Sequence, residues 1–248
     1  MIYIHPQYQS IREELLSIPQ RFAHEGDIIY DSRNQIRIMT LSDGTEVCVK
    51  RYHTPHGLNS LVYSSGIRKP KGQRAFEYPQ RLLAKGIETP VAMAYIEHRS
   101  WGFLQESYLI SEKCSYTHRL YELGDAPEGT YENLALALAQ MAAHMHQAGI
   151  LHEDFSPGNI LWELLPDGYH FSLVDINRMY FGKVDMVRGC SNFARLWGPK
   201  RFLSMIVREY ARLRGFDADL CERILMERRA RFWKRYQRKR KMEFKLEL

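Results

Sequence analysis

The sequence lacks the cysteine patterns of a disulfide framework or a zinc site. Its four cysteines are scattered along the chain, and none forms a C-x-x-C pair. Such cysteine usage is typical of proteins in a reducing cytosol. No uninterrupted apolar run approaches the length of about 18 residues that a transmembrane helix needs, so we expect none. The first residues also lack the basic start and apolar stretch of a signal peptide, and we therefore expect a cytoplasmic protein.

Excess positive charge is absent from most of the chain. The 248 residues carry a formal net charge of +6, while residues 228–241 contain nine Lys and Arg and no acid. These nine charges exceed the total, so the remainder carries a net charge of −3. Apolar residues of 45% and charged residues of 26% are ordinary for a soluble globular protein. The basic character therefore belongs to the segment 228–241 and does not describe the body of the protein.

The order of predicted elements indicates an α+β protein with two lobes. Alternating strands over 36–40 and 46–52 flank Asp43-Gly44, a two-residue turn signal that predicts a β-hairpin. A helix is predicted over 73–85, with Pro79 at its start or at a kink, and strands are predicted near 91–97 and 103–111. The second half holds a helix over 130–149, a strand over 170–176 and helical patterns from about 189 onward. We expect an N-terminal lobe of residues 1–111 and a helical C-terminal lobe of residues 112–248, meeting at a cleft.

The segment "LHEDFSPGNILWE", residues 151–163, places polar groups inside an apolar frame. It predicts a short strand, a loop and a second short strand. Asp154 and Asn159 are five residues apart, and Asp175 follows Asp154 by 21 residues after the apolar run "SLV". Lys50 ends an earlier strand, and Glu77 lies on the helical segment that follows it. Phosphoryl transfer uses such a set: a carboxylate for the acceptor hydroxyl, oxygen ligands for Mg²⁺ and an ammonium for the nucleotide phosphates.

These residues occur in the chain order of the protein-kinase signature. "HEDFSPGN" stands where H-R-D-x-x-x-x-N would stand, "VDIN" where D-F-G would stand, and "VCVK" is similar to V-A-I-K. The form H-x-D-F-S-P-G-N-I-L followed by V-D-I-N-R resembles the lipopolysaccharide core kinases of bacteria, the Kdo kinase and heptose kinase family. The run "AFEY" followed by "LLAKGIETP" is also similar to that family. The resemblance covers roughly residues 30–200.

The resemblance implies a protein-kinase-like fold and a role for each matching residue. Asp154 would be the catalytic base, with Asn159 and Asp175 as magnesium ligands that complete the catalytic set. Lys50 would bind the α- and β-phosphates of ATP, and Glu77 would pair with Lys50. Two further positions, Asn34 and Glu112, would also bind the nucleotide. His152 would brace the loop.

The resemblance further implies an ATP- and Mg²⁺-dependent kinase that phosphorylates Kdo or heptose on a lipopolysaccharide precursor. Because that glycolipid is made at the inner face of the bacterial inner membrane, residues 228–241 are interpreted as a helix that binds anionic headgroups at this surface. Four apolar residues of the C-terminal segment can share one side of such a helix: Leu225, Phe232, Trp233 and Tyr236. A solvated basic end is the simpler alternative, and nucleic acid would be attracted by the same charges but is the less favoured partner.

Departures from the kinase pattern leave alternatives open. No G-x-G-x-x-G precedes Lys50, where "YDSRNQI" (30–36) stands instead, although Asn34 would tolerate a tight turn. Glu153 replaces the arginine of H-R-D, and no A-P-E segment follows Asp175. These absences favour a sugar or other small-molecule acceptor over a protein. The alternatives are a kinase of the aminoglycoside or choline type, a catalytically weak pseudokinase scaffold at the membrane surface, and a nucleic-acid-binding protein.

Overall fold

The computed structural model describes residues 1–32, 34–53, 69–101, 103–239 and 246–247. Contacts divide the chain into two units. The first consists of Met1–Leu83 with Thr89–Ser115, and the second of Ala84–Glu88 with Tyr116–Leu248. The sequence-based boundary after residue 111 stays a prediction. Arg33 of the turn region and residues 240 and 241 of the basic segment lie outside the described residues.

The first unit contains an antiparallel six-stranded sheet in the order β1-β5-β6-β4-β3-β2. Its strands are β1 (Ile2–Ile4), β2 (Asp27–Asp31), β3 (Gln35–Thr40), β4 (Glu46–Tyr52), β5 (Ala92–Ser100) and β6 (Phe103–Glu112). Within the described residues, two helices accompany the sheet, α1 (Arg12–Arg21) and α2 (Lys71–Leu83). The strands predicted near 91–97 and 103–111 and the helix predicted over 73–85 are confirmed, and Pro79 lies inside the helix and does not begin it.

The predicted hairpin is formed by β3 and β4, which pair from Gln35 with Arg51 to Thr40 with Glu46. Its turn differs from the two-residue turn that Asp43-Gly44 predicts. The Leu41 N–H donates to the Thr45 carbonyl at 2.9 Å, so the loop spans three residues, with Gly44 at a φ of 87°. A three-residue loop of this kind needs a left-handed residue before the second strand, which glycine supplies.

Alternation along β4 separates the core from the opposite face of the sheet. Val47 and Val49 are fully buried, and they share a cluster with Leu15 and Ile18 of α1. Lys50 points to the opposite face, as the period of two predicts, and its ammonium lies 5.2 Å from the ring centre of Tyr52. The apolar cluster therefore fixes which face of the sheet carries the lysine.

The second unit combines four helices of the described residues with two small sheets. The helices are α3 (Glu132–Gln147), α4 (Met186–Asn192), α5 (Lys200–Arg214) and α6 (Ala218–Gln237). The strands are β7 (His118–Arg119), β8 (Ile150–His152), β9 (Ile160–Leu165), β10 (Gly168–Leu173) and β11 (Met179–Phe181). One sheet has the order β10-β9-β7 and the other pairs β11 with β8.

The helical core of the second unit follows the predicted apolar stripes. On α3, Leu134 and Leu138 are buried, and the helix ends before Gly149, whose φ of 73° stops it as predicted. On α5, the predicted stripe is also buried at Phe202, Ile206 and Tyr210. These two helices pack against each other. They form the scaffold on which the loop between β8 and β9 is built.

The apolar side of the C-terminal helix α6 is largely buried, whereas the sequence pattern was interpreted as a membrane-facing surface. Leu225 and Trp233 are 0% and 5% exposed. Arg229, one of the nine basic residues, is also buried and donates to the carbonyls of Leu196 and Gly198. This side of the helix is therefore part of the protein interior, because packing against α4 and α5 buries it. Within the described residues, no helix has the length and apolarity required to cross a membrane.

Replacing Gly72 of α2 with valine is expected to destabilise the first unit by about 1–3 kcal/mol, the usual range for overpacking a core. A Cβ at this position would lie 2.2 Å from Cε2 of Tyr95, whose ring is fully buried and whose hydroxyl donates to Glu97 at 2.8 Å. Urea unfolding measures the change. Gln80→Ala, at an exposed position of the same helix, should leave stability within about 0.5 kcal/mol; equal stability of both variants would contradict the close packing of Gly72 on Tyr95.

Candidate functional site

The segment "LHEDFSPGNILWE" folds as a strand, a loop and a strand, as predicted. Strand β8 ends at His152, a short 3₁₀-helix spans Pro157–Asn159, and β9 begins at Ile160. Pro157 begins this 3₁₀-helix, where the fixed φ of proline suits a helical turn. Gly158 allows the ring of Tyr121 to approach, since a Cβ there would lie 2.8 Å from Cε2 of Tyr121. The Pro-Gly pair thus shapes the loop that carries Asp154 and Asn159.

His152 fixes the loop to the strand that leads to Asp175. Its Nδ1 accepts a hydrogen bond from the Asp154 N–H at 3.0 Å, and its Nε2 lies 3.1 Å from the Val174 carbonyl. A carbonyl only accepts, so Nε2 carries the proton and the ring is a neutral tautomer. Burial lowers the pKa of His152, which keeps the ring neutral. The predicted bracing role of His152 agrees with this geometry.

Asn159 and Asp175 lie at neighbouring points of the backbone. The Val174 N–H donates to the Asn159 carbonyl at 3.0 Å, so the residue before Asp175 is attached directly to Asn159. The Asn159 side-chain nitrogen donates to the Asp154 carbonyl at 2.9 Å. This bond fixes the amide orientation and turns its oxygen, the atom that could bind a cation, to the other side. The loop and the turn after β10 thereby bring the backbone of Asn159 next to the residue that precedes Asp175.

Asp175 lies beyond its strand and not at its end. The strand predicted over 170–176 ends at Leu173, because Val174 bonds to Asn159 and Asp175 takes a left-handed φ of 53°. A non-glycine residue in this region is strained by about 1–3 kcal/mol, and such residues concentrate at functional sites. The Asn177 side chain donates to Asp175 Oδ1 at 2.6 Å. The turn leaves the Asp175 residue exposed, which suits a ligand-binding carboxylate.

Two arginines that the sequence analysis did not select contact the proposed base. Arg178 Nη1 lies 3.3 Å from Asp154 Oδ2, and Arg195 donates from Nη1 to Asp154 Oδ1. Arg178 stands in the V-D-I-N-R motif, so its position was a readable signal. Arg195, at the end of the 3₁₀-helix Phe193–Arg195, has no motif, and only the tertiary structure brings it to Asp154.

A buried chain of hydrogen bonds ties the loop to helices α3, α4 and α5. Arg214 donates to the Tyr210 hydroxyl at 2.7 Å, and that hydroxyl lies 2.9 Å from Nδ1 of His146. His146 Nε2 is 3.2 Å from Oδ1 of Asn192, whose side-chain nitrogen donates to the His152 carbonyl at 2.9 Å. Arginine only donates, so every proton in the chain has one assignment, and His146 is neutral with its proton on Nε2. Burial lowers the pKa of His146 to about 3, which is consistent with that state.

The nucleotide-binding residues expected from the sequence lie in the first unit. Lys50 is on β4, paired with Leu109 of β6. Glu77 accepts from Lys69 at 2.7 and 2.8 Å and from Gln73 at 2.9 Å. The pairing of Glu77 with Lys50 stays a prediction.

The other two expected nucleotide-binding residues also have contacts within the first unit. Asn34 follows β2 and accepts a hydrogen bond from the His53 N–H at 3.2 Å. Glu112 ends β6 and accepts from the Tyr8 hydroxyl. Both side chains therefore have defined positions, and their binding of a nucleotide stays a prediction.

The oxygen donors of Asn159 and Asp175 fit a magnesium ion better than a transition metal. Mg²⁺ prefers oxygen ligands and commonly uses one or two protein groups together with phosphate and water. Among the described residues, no three His, Cys, Asp or Glu side chains are grouped as a metal site would require. The pair therefore matches a cation that is bound jointly with a nucleotide, and not a closed structural metal centre.

Residues 20–184 match the model of the lipopolysaccharide kinase (Kdo/WaaP) family. A search of curated proteins found no match. This family match covers strands β2 to β6 of the first unit and the segment with Asp154, Asn159 and Asp175.

Solved structures show the same fold. A structure of WaaP in complex with acyl carrier protein has a TM-score of 0.61 and 17% identity, covering 96% of this chain and 98% of that one. The Rio2 kinase from Chaetomium thermophilum, solved as an ADP/Mg²⁺-phosphoaspartate complex, has a TM-score of 0.51 and 13% identity, covering 92% of this chain and 76% of that one. At such low identity these similarities establish the protein-kinase-like fold, as the sequence predicted, and not the substrate.

The protein should lose stability as the pH falls below about 6.5, the pKa of an unfolded histidine. Below that value the unfolded chain binds protons that neutral, buried His146 and His152 do not bind, and this difference lowers the free energy of unfolding. Between pH 6.5 and its folded-state pKa, each histidine lowers the free energy of unfolding by about 1.4 kcal/mol for every unit by which the pH falls. His146→Gln, which keeps one donor and one acceptor, should show a shallower pH dependence in urea unfolding between pH 6.5 and 5.

The matched control for this measurement is His24→Gln, at an exposed position of the first unit. Its pH dependence should equal that of the unchanged protein. A His146→Gln slope identical to that of the unchanged protein would contradict a neutral, buried His146.

Proposed function

Because the chain belongs to the lipopolysaccharide kinase (Kdo/WaaP) family, we propose that it phosphorylates a hydroxyl of Kdo or heptose in the lipopolysaccharide inner core. Family membership makes it a kinase of the lipopolysaccharide core, a phosphotransferase that acts on a sugar hydroxyl and uses ATP. The observation that supports phosphoryl transfer at this site is the His152 bridge, which joins the Asp154 N–H to the Val174 carbonyl beside Asp175. Since the Asn159 amide also donates to the Asp154 carbonyl, a hydroxyl at Asp154 and a metal-bound phosphate at Asn159 and Asp175 would have separate ligands.

In this mechanism Asp154 accepts a hydrogen bond from the acceptor hydroxyl and orients its oxygen for in-line attack. The Asp154 side chain is 23% exposed, so it is open to a substrate while its backbone is fixed by His152. The hydroxyl proton passes to the Asp154 carboxylate as the oxygen–phosphorus bond forms and the bond to ADP breaks. Holding the carboxylate in one place removes much of the orientational cost of the reaction.

Asn159 and Asp175 would hold Mg²⁺, which supplies charge neutralisation for the phosphates when bound. The bonds of Asn159 to Asp154 and of Asn177 to Asp175 orient both ligands in advance. In the first unit, Lys50 would bind the α- and β-phosphates, with Glu77, Asn34 and Glu112 as the other nucleotide-binding residues. These four roles rest on the resemblance of the sequence to the kinase signature.

Asp154→Asn should lower kcat by about 10²–10⁴-fold, the usual contribution of general acid–base catalysis, because the amide cannot accept the hydroxyl proton. The assay uses the purified full chain, Mg²⁺-ATP and lipid-linked inner-core acceptors that carry Kdo or heptose. Mass spectrometry of the product identifies the phosphorylated sugar. Asp167→Asn, at an exposed residue of the same unit, serves as the control and should keep full activity; unchanged transfer by Asp154→Asn would remove Asp154 from its role as base.

Exposed cations on α6 and directly after its end support a second part of the proposal, peripheral binding to an anionic membrane on the cytoplasmic side. Six basic residues of the described segment face solvent: Arg228, Arg231, Lys234, Arg235, Arg238 and Lys239. Leu225 and Trp233 are buried, so the attraction would come from charge and not from apolar insertion. Charge attraction to a bilayer weakens within a Debye length and with added salt.

Neutralising two of these cations, Arg235 and Arg238, to glutamine should weaken vesicle binding about 30-fold, since each contributes about 1 kcal/mol near an anionic bilayer. Cosedimentation of the full chain with phosphatidylglycerol-containing vesicles at low salt measures the affinity, and purely zwitterionic vesicles should not bind. Neutralising Lys85 and Lys183, which are also exposed but lie outside α6, should have a smaller effect. Equal loss from both pairs would indicate attraction by net charge and not by this helix.

A further inference from the structure

The carboxylate of Asp154 is engaged on both of its oxygens. Arg195 contacts Oδ1 and Arg178 contacts Oδ2. The two arginine side chains are 36% and 47% exposed even in this arrangement. Each uses a single nitrogen, Nη1, toward Asp154, whereas a guanidinium has five N–H donors. Each guanidinium therefore has further N–H donors beyond the one it directs at the carboxylate.

Two different parts of the second unit hold these arginines in place. Arg178 belongs to the turn after Asp175, and its carbonyl accepts from the Glu153 N–H at 2.8 Å. The Arg195 guanidinium carbon lies 5.4 Å from the ring centre of Phe232 on α6, a cation–π distance. The C-terminal helix therefore takes part in positioning a cation at the proposed catalytic carboxylate.

The charges in direct contact at Asp154 do not balance. One carboxylate contacts two guanidinium groups, so these three side chains together carry more positive than negative charge. A hydroxyl that reaches a lone pair of either Asp154 oxygen must lie within reach of Arg195 or Arg178. An anionic group on the neighbouring carbon of the same sugar would then meet the remaining N–H donors, which suit carboxylate and phosphate geometry.

Aromatic side chains lie next to this charged group. Tyr121 covers Gly158 of the catalytic loop, and Trp197 packs edge-on to Tyr121 with ring centres 4.7 Å apart. The Trp197 indole N–H donates to the Tyr121 carbonyl at 3.2 Å, and Tyr121 is 46% exposed. An exposed, rigid ring beside charged donors is typical of a pocket that binds the apolar face of a polar ligand.

We infer that Arg195 and Arg178 recognise an anionic group, a carboxylate or a phosphate, on the acceptor sugar beside the hydroxyl held by Asp154. This inference rests on the proposed function, since it names the acceptor class of the same site. Two other roles for the arginines are outcomes of the test. They could hold Asp154 in place for any acceptor, or they could stabilise the transferred phosphoryl group.

The experiment compares two soluble acceptors with the same ring and hydroxyls, the methyl glycoside of Kdo and its neutral methyl ester. The full chain should phosphorylate the acid with kcat/KM about 10–100-fold above the ester, the difference expected for one charge-assisted contact. Arg195→Gln should remove most of that preference, because KM should rise much more for the acid than for the ester. Arg201→Gln, an exposed arginine paired with Glu128 at 2.9 Å, should keep the preference.

Equal losses of kcat for both acceptors in Arg195→Gln would assign the arginine to Asp154 or to the phosphoryl group and overturn the inference. Calorimetric binding of the two acceptors, without ATP, separates this result from failure of the proposed function. Tighter binding of the acid that depends on Arg195 would support the anion site even if neither compound were phosphorylated. Equal binding of acid and ester by the unchanged protein would overturn it, whatever the kinase assay shows.

To decide whether the site binds a carboxylate, a phosphate or both, the same calorimetry is repeated with a sugar phosphate in place of the acid. Competition between the two ligands for the Arg195-dependent site would show that either anion is accepted. Binding of the acid alone would restrict the site to a carboxylate.

Discussion

The hydrogen bonds of one buried, neutral histidine determine the geometry of the candidate site. His152 accepts the Asp154 N–H on one nitrogen and donates from the other to the Val174 carbonyl, so the loop that carries Asp154 and the segment leading to Asp175 are joined through a single ring. No other side chain offers one donor and one acceptor in a rigid plane of this size. Protonation would replace the acceptor with a second donor opposite the Asp154 N–H. Neutrality of the ring, maintained by burial, is therefore a condition for the loop conformation.

The helices of the second unit extend this constraint into the core. Asn192 fixes the carbonyl of His152, and His146 and Tyr210 fix Asn192. All of these groups are buried, and each would be costly to leave without its partner. The packing of α3 against α5 thus has a functional consequence, because it sets the position of a loop that belongs to neither helix.

The C-terminal helix α6 has two sides with different roles. Its inner side buries Leu225 and Trp233, and Arg229 binds the carbonyls of Leu196 and Gly198, on either side of Trp197. Burial lowers the pKa of Arg229 to about 10, so the side chain remains charged at neutral pH. The helix therefore anchors the segment that carries Arg195. Its outer side keeps the exposed cations, which is why the amphipathic pattern of the sequence fits a core helix as well as a membrane-binding one.

Local patterns in the sequence determined much of the fold. Periods of 2 and 3.6 and turn chemistry depend only on residues that are close together in the sequence. They account for the alternation of β4, the apolar stripes of α3 and α5, and the strand-loop-strand form around "HEDFSPGN". The spacing of Asp154, Asn159 and Asp175 likewise indicated kinase chemistry. The sequence-based predictions of the hairpin turn and of the end of β10 were wrong. At the end of β10, the hydrogen bond that the Val174 N–H donates to the Asn159 carbonyl outweighs strand propensity.

Tertiary structure alone decided the surroundings of the site. Arg195 is 41 residues from Asp154, and Phe232 is further still along the chain. No local period or motif links these positions, because their contact depends on how α6 packs on the second unit. The same holds for His146 and Asn192, which look like ordinary helical residues until packing buries them together. The sequence by itself thus determined which residues are candidates for the chemistry and in what order they stand, whereas the three-dimensional packing decided the orientation of Asp154 and the charged groups in contact with it.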